Sequence, residues 1–191
     1  MNRIQAAALC STLLLALACG GGGGGGTPAP APTPPTLATT LTYTDPLGGG
    51  YRLVGNAALS TPSKLVLDLV GPAGQGGQGV AFILQADGMK ASWTQPSSTS
   101  GLVQNLAFDL GSGPVALVGS AKGYGALHGA VFQKSGSVPL GQPLLRVGLT
   151  LNSGTASTGT PIALAFTAGN GLSDGGSITP ISIATGTLVA R

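Results

Sequence analysis

Charge is the first thing that this sequence has little of. Charged residues make up 7% of its 191 residues and glutamate is absent, whereas average soluble proteins carry about 25% charged residues. The five aspartates stand on well-separated segments, which argues against the paired carboxylates of glycoside hydrolysis. Hydrophobic residues reach 42%, and a chain that is both apolar and poor in charge is expected to fold.

Cysteine is scarce as well, and its placement matters more than its number. The two cysteines are Cys10 and Cys19, both near the start of the chain. The remainder therefore has no disulfide and no cysteine metal site, and its core alone must hold it together.

Clustered basic residues are also missing. Beyond Arg3, seven cations against five aspartates leave a net charge of about +2. A surface that binds nucleic acid needs grouped Lys or Arg to release counterions from phosphates. The cations here are scattered singly, so no nucleic-acid partner is expected: Arg52, Lys64, Lys90, Lys122, Lys134, Arg146 and Arg191.

The N-terminus has the features of an export signal. A positive start at Arg3 precedes an uncharged, mostly apolar run over Ile4–Ala18, which is shorter than the roughly 20 residues of a spanning helix. The run Leu14–Cys19, with small Ala18 before the cysteine, resembles the lipobox of bacterial lipoproteins. Ordinary secretion is the alternative, since Ala16–Ala18 also fits an A-x-A cleavage site.

The lipoprotein resemblance implies how the chain is held in the cell envelope. It implies a diacylglyceryl thioether on Cys19 and an acyl group such as palmitate on its amine. Several acyl chains together anchor a protein durably, whereas one does so only marginally. Gly20 follows the cysteine, and the resemblance then favours the outer membrane. We expect residues 1–18 to be the signal peptide.

Residues 19–40 are expected to form a tether. Seven glycines over Gly20–Gly26 predict a flexible coil that spans about 15 Å. Alternating prolines up to Pro35 favour polyproline II, about 3.1 Å per residue. A spacer is the favoured interpretation, and a ligand for an aromatic groove is the alternative.

Residues 41–191 predict one all-β domain. Large apolar residues recur at every second position in Lys64–Val70 and Ile162–Phe166, and period two marks a strand with one buried face. Nine prolines from Pro46 to Pro180 leave little room for a long helix. We expect a single antiparallel β-sandwich with strands over 41–44, 51–54, 64–70, 80–85, 103–110, 115–118, 130–133, 144–151, 162–167, 178–183 and 187–190.

The order of these segments resembles a cohesin domain from about Leu65 to Arg191. The matching segments are Lys64–Val70, Gly79–Leu84 with Asp87-Gly88, Ala116–Val118, Leu140–Val147, and a closing hairpin over 178–189. The resemblance implies a nine-stranded jelly-roll sandwich, also shared by some carbohydrate-binding modules. It further implies a protein partner, which for cohesins is a dockerin carrying its own Ca²⁺. Leu41–Asn56 is expected to be an added hairpin.

No segment indicates catalysis, a metal or a cofactor. Gly74–Gly79 matches G-x-G-x-x-G, but that motif must open a helix to bind a pyrophosphate, and a strand is expected here. His128 is the single histidine, and the sequence has no G-x-S-x-G turn that would supply a serine nucleophile for it to activate. The aspartates near turns lack a D-x-D-x-D-G loop and are expected to be solvated: Asp45, Asp87, Asp109 and Asp174.

Two aromatic residues are candidates for ligand binding. Trp93 and Tyr124 together could stack on a sugar ring, whereas the alternative is that Trp93 fills the edge of the core. Three hypotheses therefore stand: a cohesin-like module for a protein partner, a carbohydrate-binding module for a polysaccharide, and an envelope component without a ligand.

Overall fold

Strands and loops, with no helix, make up the part of the chain that the computed structural model describes: residues 32–97, 101–112, 118–122 and 125–191. The strands are β1 (Leu41–Thr44), β2 (Tyr51–Gly55), β3 (Lys64–Val70), β4 (Gly76–Ala86), β5 (Ala91–Thr94), β6 (Val103–Asn105), β7 (Val118–Lys122), β8 (Ala126–Phe132), β9 (Val138–Pro139), β10 (Pro143–Leu151), β11 (Pro161–Ile162), β12 (Leu164–Ser173), β13 (Ile178–Pro180), β14 (Ile183–Ala184) and β15 (Thr187–Ala190).

These strands form two six-stranded sheets and one small sheet. The front sheet has the order β13-β12-β4-β8-β7, with β9 added to β4. The back sheet has the order β14-β2-β3-β10-β5, with β6 added to β10, and the side sheet is β1-β15-β11. Every pair is antiparallel except β14 with β2.

One apolar core lies between the front and back sheets. Leu65, Leu67 and Leu69 of β3 belong to the same buried cluster as Phe82 and Leu84 of β4. Burying each of these side chains contributes about 1.5–3 kcal/mol. The predicted all-β antiparallel sandwich is confirmed, with the short parallel pair of β14 and β2 as a local departure.

The outer face of the back sheet is covered and holds an ion pair. The Arg146 guanidinium donates to both oxygens of Asp68, at 2.6 and 3.1 Å, and Asn56 Nδ2 donates to the same carboxylate at 2.9 Å. This hydrogen bonding to Asp68 raises the pKa of Arg146. Beside the pair, Lys64 Nζ donates to the carbonyl of Pro96, so the chain after β5 crosses over this face.

The expected hairpin over Leu41–Asn56 is wrong. β1 pairs with β15 of the side sheet, whereas β2 pairs with β3 and β14 of the back sheet. Three glycines, Gly48–Gly50, separate the two strands, and Gly48 has a φ of 121° that favours glycine. The flexible connection lets each strand bury its apolar residues in a different sheet.

The expected closing hairpin is also wrong. Ile178–Ile183 divides into β13, which pairs with β12 in the front sheet, and β14, which pairs with β2 in the back sheet. Pro180 has no N–H for a strand ladder, and the chain changes sheets directly after it. β15 then pairs with β1 and β11 in the side sheet.

The predicted strand over Val103–Leu110 is too long. Only β6 is regular, because the Asn105 side chain bonds both backbone groups of Phe108, at 2.7 and 3.1 Å. This turn buries Phe108. The sequence also missed β5, and most of its predicted strand over 115–118 lies outside the described residues.

The N-terminal edge of the fold is bonded before the first strand. Ala38 N donates to Thr155 O at 2.8 Å, and the amides of Thr39 and Thr40 donate to Arg191 O. The compact unit extends from Pro34 to Arg191. The last residues assigned to the tether therefore contact the sandwich, while the predicted signal peptide lies outside the described residues. Within those described ranges, no helix is long and apolar enough to cross a membrane.

Tyr43 joins three parts of the fold and gives a pH-dependent prediction. Its hydroxyl donates to Leu53 O at 3.1 Å and accepts from Gly186 N at 2.7 Å. Burial raises the pKa of Tyr43 from 10.0 to about 12. The neutral phenol is therefore favoured in the folded state, and its stabilisation is complete below the unfolded pKa and lost as the pH rises toward the folded one.

We expect the free energy of unfolding to fall between about pH 10 and 12, and to fall less in Tyr43→Phe. At neutral pH this variant should lose about 1–3 kcal/mol, because Leu53 O and Gly186 N lose their partner. Urea unfolding across this pH range measures both effects. Burial also raises the pKa of Tyr51, so some slope should remain. An identical slope in both proteins would contradict the assignment.

Candidate interaction face

Six residues of the front sheet form a regular grid on its outer face. Each residue of β4 lies between a residue of β8 and one of β12. Ala81 is paired with Ala130 and Asn170, and Ile83 is paired with His128 and Ala168. We call the six residues the front grid: Ala81, Ile83, His128, Ala130, Ala168 and Asn170.

Period two in the sequence produces the grid. In β4 the large residues Val80, Phe82 and Leu84 point into the core, and all are buried. The residues between them must then point outward, because successive side chains alternate across a strand. In β12 a register shift between Phe166 and Ala168 inserts an extra residue, as a β-bulge does.

Glycines next to Phe82 determine the packing beneath the grid. Phe82 is opposite Gly129 on one side and Gly169 on the other, and it is 3% exposed. A Cβ at Gly129 would overlap the Phe82 ring. An aromatic ring that covers glycines on neighbouring strands stabilises a sheet, so this packing supports the grid from within.

The grid is shallow and carries no charged side chain. It surrounds a depression of about 280 Å³. Among its six residues, His128 is the only titratable one, and no hydrogen bond of its side chain occurs within the described residues. This arrangement offers small apolar contacts with an amide and an imidazole, and it does not pair a nucleophile with a base.

The structure places Trp93 in the core. Its side chain is 7% exposed, and its indole N–H donates to Gly125 O at 2.7 Å. This burial favours the packing alternative, and the stacking role of Trp93 stays a prediction. Tyr124 and Cys19, the other two predicted site residues, lie outside the described residues.

The remaining sequence motifs are separated in the fold. β4 begins at Gly76, so the glycine motif leads into a strand rather than a helix. Asp45 and Asp109 accept hydrogen bonds from nearby backbone amides, and Asp87 pairs with Lys90 at 3.3 Å. Within the described ranges, no three His, Cys, Asp or Glu side chains come close enough to hold a metal ion.

Sequence reasoning missed the front grid. Half of its members are alanines, and no residue type among them signals a function. The one available signal was a weak alternation in Val80–Gln85, where Ala81 and Gln85 are small or polar but Ile83 is as large as its buried neighbours. The pairing of β4 with β8 and β12 is needed to bring the six residues together.

Comparisons with known proteins define the fold. No family model matches the chain, and no curated protein matches it. A solved structure of the sixth cohesin from the scaffoldin B of Acetivibrio cellulolyticus, in complex with a mutant Cel5 dockerin, is 14% identical, with 72% of this chain and 95% of that one covered and a TM-score of 0.50. This likeness shows that the chain has a cohesin-like β-sandwich fold.

Two further cohesin structures are similar to a lower degree. A type II cohesin domain from the Acetivibrio cellulolyticus cellulosome is 8% identical, covering 73% of this chain and 94% of that one, with a TM-score of 0.48. The seventh ScaB type I cohesin from Pseudobacteroides cellulosolvens is 13% identical, covering 72% and 88%, with a TM-score of 0.47.

The packing under the grid can be tested with one methyl group. Gly129→Ala should destabilise the protein by about 1–3 kcal/mol, because a buried ring must move to admit the new atom. Gly175→Ala is the matched control, since a Cβ there meets nothing within 4 Å. Thermal unfolding of both variants measures the difference. Equal melting temperatures would show that the ring does not constrain Gly129.

Proposed function

We propose that this chain is a non-catalytic interaction module that binds a protein partner on the front grid. The observation that supports it most is the contrast between the two outer faces. The back sheet carries a largely buried ion pair, and the segment after β5 bonds to Lys64 on the same face. The front grid is uncharged, and its residues are half-buried or exposed.

The grid is suited to a protein surface for energetic reasons. Three of its six side chains are alanines, which lose no rotamer entropy on burial. Since no grid residue is charged, covering the grid carries no cost of desolvating an ion. Asn170 and His128 can form hydrogen bonds with a partner. A standard interface covers about 800 Å² on each side, so contacts would extend beyond the grid to outward residues such as Gln85.

The partner that we propose is a small protein module with an uncharged, largely apolar contact surface. The cohesin from Acetivibrio cellulolyticus was solved with a dockerin bound, which supports a module of that kind. Carbohydrate binding through Trp93 has less support, because the ring of Trp93 is buried. Catalysis at His128 has less support as well: Ser120 is its register partner in β7, but the grid supplies no carboxylate to orient the imidazole.

Partner binding should depend on Ile83. In Ile83→Asp, a partner would have to bury an unpaired carboxylate, and affinity should fall at least about tenfold, equivalent to 1.4 kcal/mol. Leu47→Asp is the control, because Leu47 is 97% exposed and lies outside the grid. A photo-reactive residue at position 83 or 47 identifies the partner by cross-linking in cells, and calorimetry with the purified partner gives the affinity.

The cross-linking experiment has a clear negative result. If position 83 gives the same adducts as position 47, the grid does not face a partner. If Ile83→Asp retains full affinity for the cross-linked protein, the partner binds elsewhere. Unfolding curves of Ile83→Asp separate a lost contact from a lost fold.

We further propose that the module is anchored to the envelope through lipid on Cys19. The lipobox-like run Leu14–Cys19 and the glycine after it support this, and favour the outer membrane. The first hydrogen bonds to the sandwich occur at Thr36 and Ala38. The residues between Cys19 and Thr36 would then serve as the tether, and a tether of this composition spans tens of ångströms.

Cys19→Ser should release the protein from membranes, because serine cannot form the thioether that carries the diacylglycerol. Membrane fractionation and metabolic labelling with a palmitate analogue measure attachment. Cys10→Ser is the matched control and should keep both the label and the membrane location. Retention of Cys19→Ser in the membrane fraction would contradict anchoring at this residue.

A further inference from the structure

One end of the sandwich contains a cleft that the proposed function does not use. The cleft lies where β4 begins, between β2 of the back sheet and strands β12 and β13 of the front sheet. Its volume is about 260 Å³. We call it the end cleft, and its principal lining residues are Tyr51, Gln75, Leu140, Ser173, Thr179 and Ile181.

A second hollow continues the end cleft past Gly76. This hollow, of about 340 Å³, shares Gln75 and Gly76 with the cleft and adds Ser137. A Cβ at Gly76 would lie 2.7 Å from a carboxylate oxygen of Asp174 and 2.9 Å from Ser137 Oγ. The absence of a side chain at Gly76 therefore lets the Asp174 carboxylate and the Ser137 hydroxyl approach the backbone closely, and both groups lie at the edge of the space that the two hollows share.

The polar side chains around this space are not used by the fold. Within the described residues, no side-chain hydrogen bond or ion pair forms at Tyr51, Gln75, Ser137, Asp174 or Thr179. A larger hollow of about 480 Å³ beside Tyr43 is different. Its Tyr43 hydroxyl, Asp45 carboxylate and Asn56 amide are all bonded to the protein.

The floor of the end cleft is apolar. Tyr51 fits there because positions 71 and 171 are glycines: its ring lies 3.0 Å from where a Cβ of Gly71 would stand, and its hydroxyl 3.2 Å from that of Gly171. Leu140 and Ile181 complete the floor. A ligand in the cleft would meet an aromatic ring and aliphatic carbons below, and polar groups at the rim.

These surroundings restrict the ligand class. No cation lines either hollow, so an anion has no partner there. Asp174 is the only carboxylate at the rim, whereas Ca²⁺ takes six to eight oxygen ligands. The remaining class is a neutral molecule with one apolar face and a rim of hydroxyl groups, and a pyranose ring has this form.

We propose that the end cleft binds one pyranose unit of a neutral glycan. The Tyr51 ring, whose π face is negative, contacts the C–H face of the sugar. Asp174 accepts hydrogen bonds from sugar hydroxyls, and a carboxylate acceptor gives stronger bonds than a neutral one. On the other side of Gly76, the side chains of Gln75 and Ser137 can each donate hydrogen bonds to sugar hydroxyls and accept hydrogen bonds from them.

The test uses the full lipidated chain in a detergent without sugar groups. Saturation-transfer NMR is recorded with the methyl glycosides of glucose, galactose, mannose and N-acetylglucosamine. We expect signal from at least one glycoside, with a dissociation constant in the millimolar range, equivalent to about −4 kcal/mol. No signal from any of the four, or equal signal from an uncharged tripeptide, would overturn the proposal.

Two variants test whether the glycoside binds in the end cleft. Gly76→Ala should weaken it at least about tenfold, because the methyl group occupies the space beside Asp174, whereas Gly175→Ala should leave it unchanged. Asp174→Asn, at an exposed position, should weaken it severalfold without unfolding. Unchanged affinity in both Gly76→Ala and Asp174→Asn would refute this location. Ile83→Asp should not alter glycoside binding, so the proposal for the end cleft and the proposal for the front grid are tested independently.

Discussion

The buried contact between the front and back sheets is the interaction on which the rest of the structure depends. The domain has no cysteine to cross-link it, and its described residues hold no metal cluster. Each central strand therefore places its largest residues inside, as Leu67 does in β3 and Leu84 in β4. The same requirement leaves the residues between them outside, and this is how β4 obtains an outer row of uncharged side chains.

Charge then distinguishes the two outer faces. On the back sheet, Asp68 and Arg146 are direct neighbours in the register of β3 and β10, and their bidentate geometry suits that one alignment. Removing one partner of a buried pair costs about 3–5 kcal/mol because the other charge is left alone. A shift of β3 against β10 by one residue would separate the two charges and carry the same cost. The ion pair thus supports the register of the back sheet, while the six residues of the front grid carry no charge.

The sequence predicted the strands better than their partners. Period two in Lys64–Val70 and Leu144–Leu151 is a local property and can be read directly. Pairing is not local: β1 and β2 are neighbours in sequence but belong to different sheets, and Ile178–Ile183 contains strands of two sheets. The role of Trp93 could not be predicted from the sequence either, since a large aromatic residue suits both a core and a ligand platform. The front grid required the registers of β4 with β8 and of β4 with β12 together, and no residue type marks it.

Glycine shows why a motif in a sequence does not by itself define a site. At Gly129 and Gly79, the rings of Phe82 and Phe132 occupy the space that a Cβ would need, so these glycines are required for packing. At Gly76, the atoms nearest to an added Cβ are the polar ends of Asp174 and Ser137, and both of these side chains are exposed. Both kinds occur within the G-x-G-x-x-G pattern itself, at Gly79 and at Gly76. Which glycine leaves room for a ligand therefore depends on what the neighbouring strand places opposite it, a property of pairing rather than of the motif.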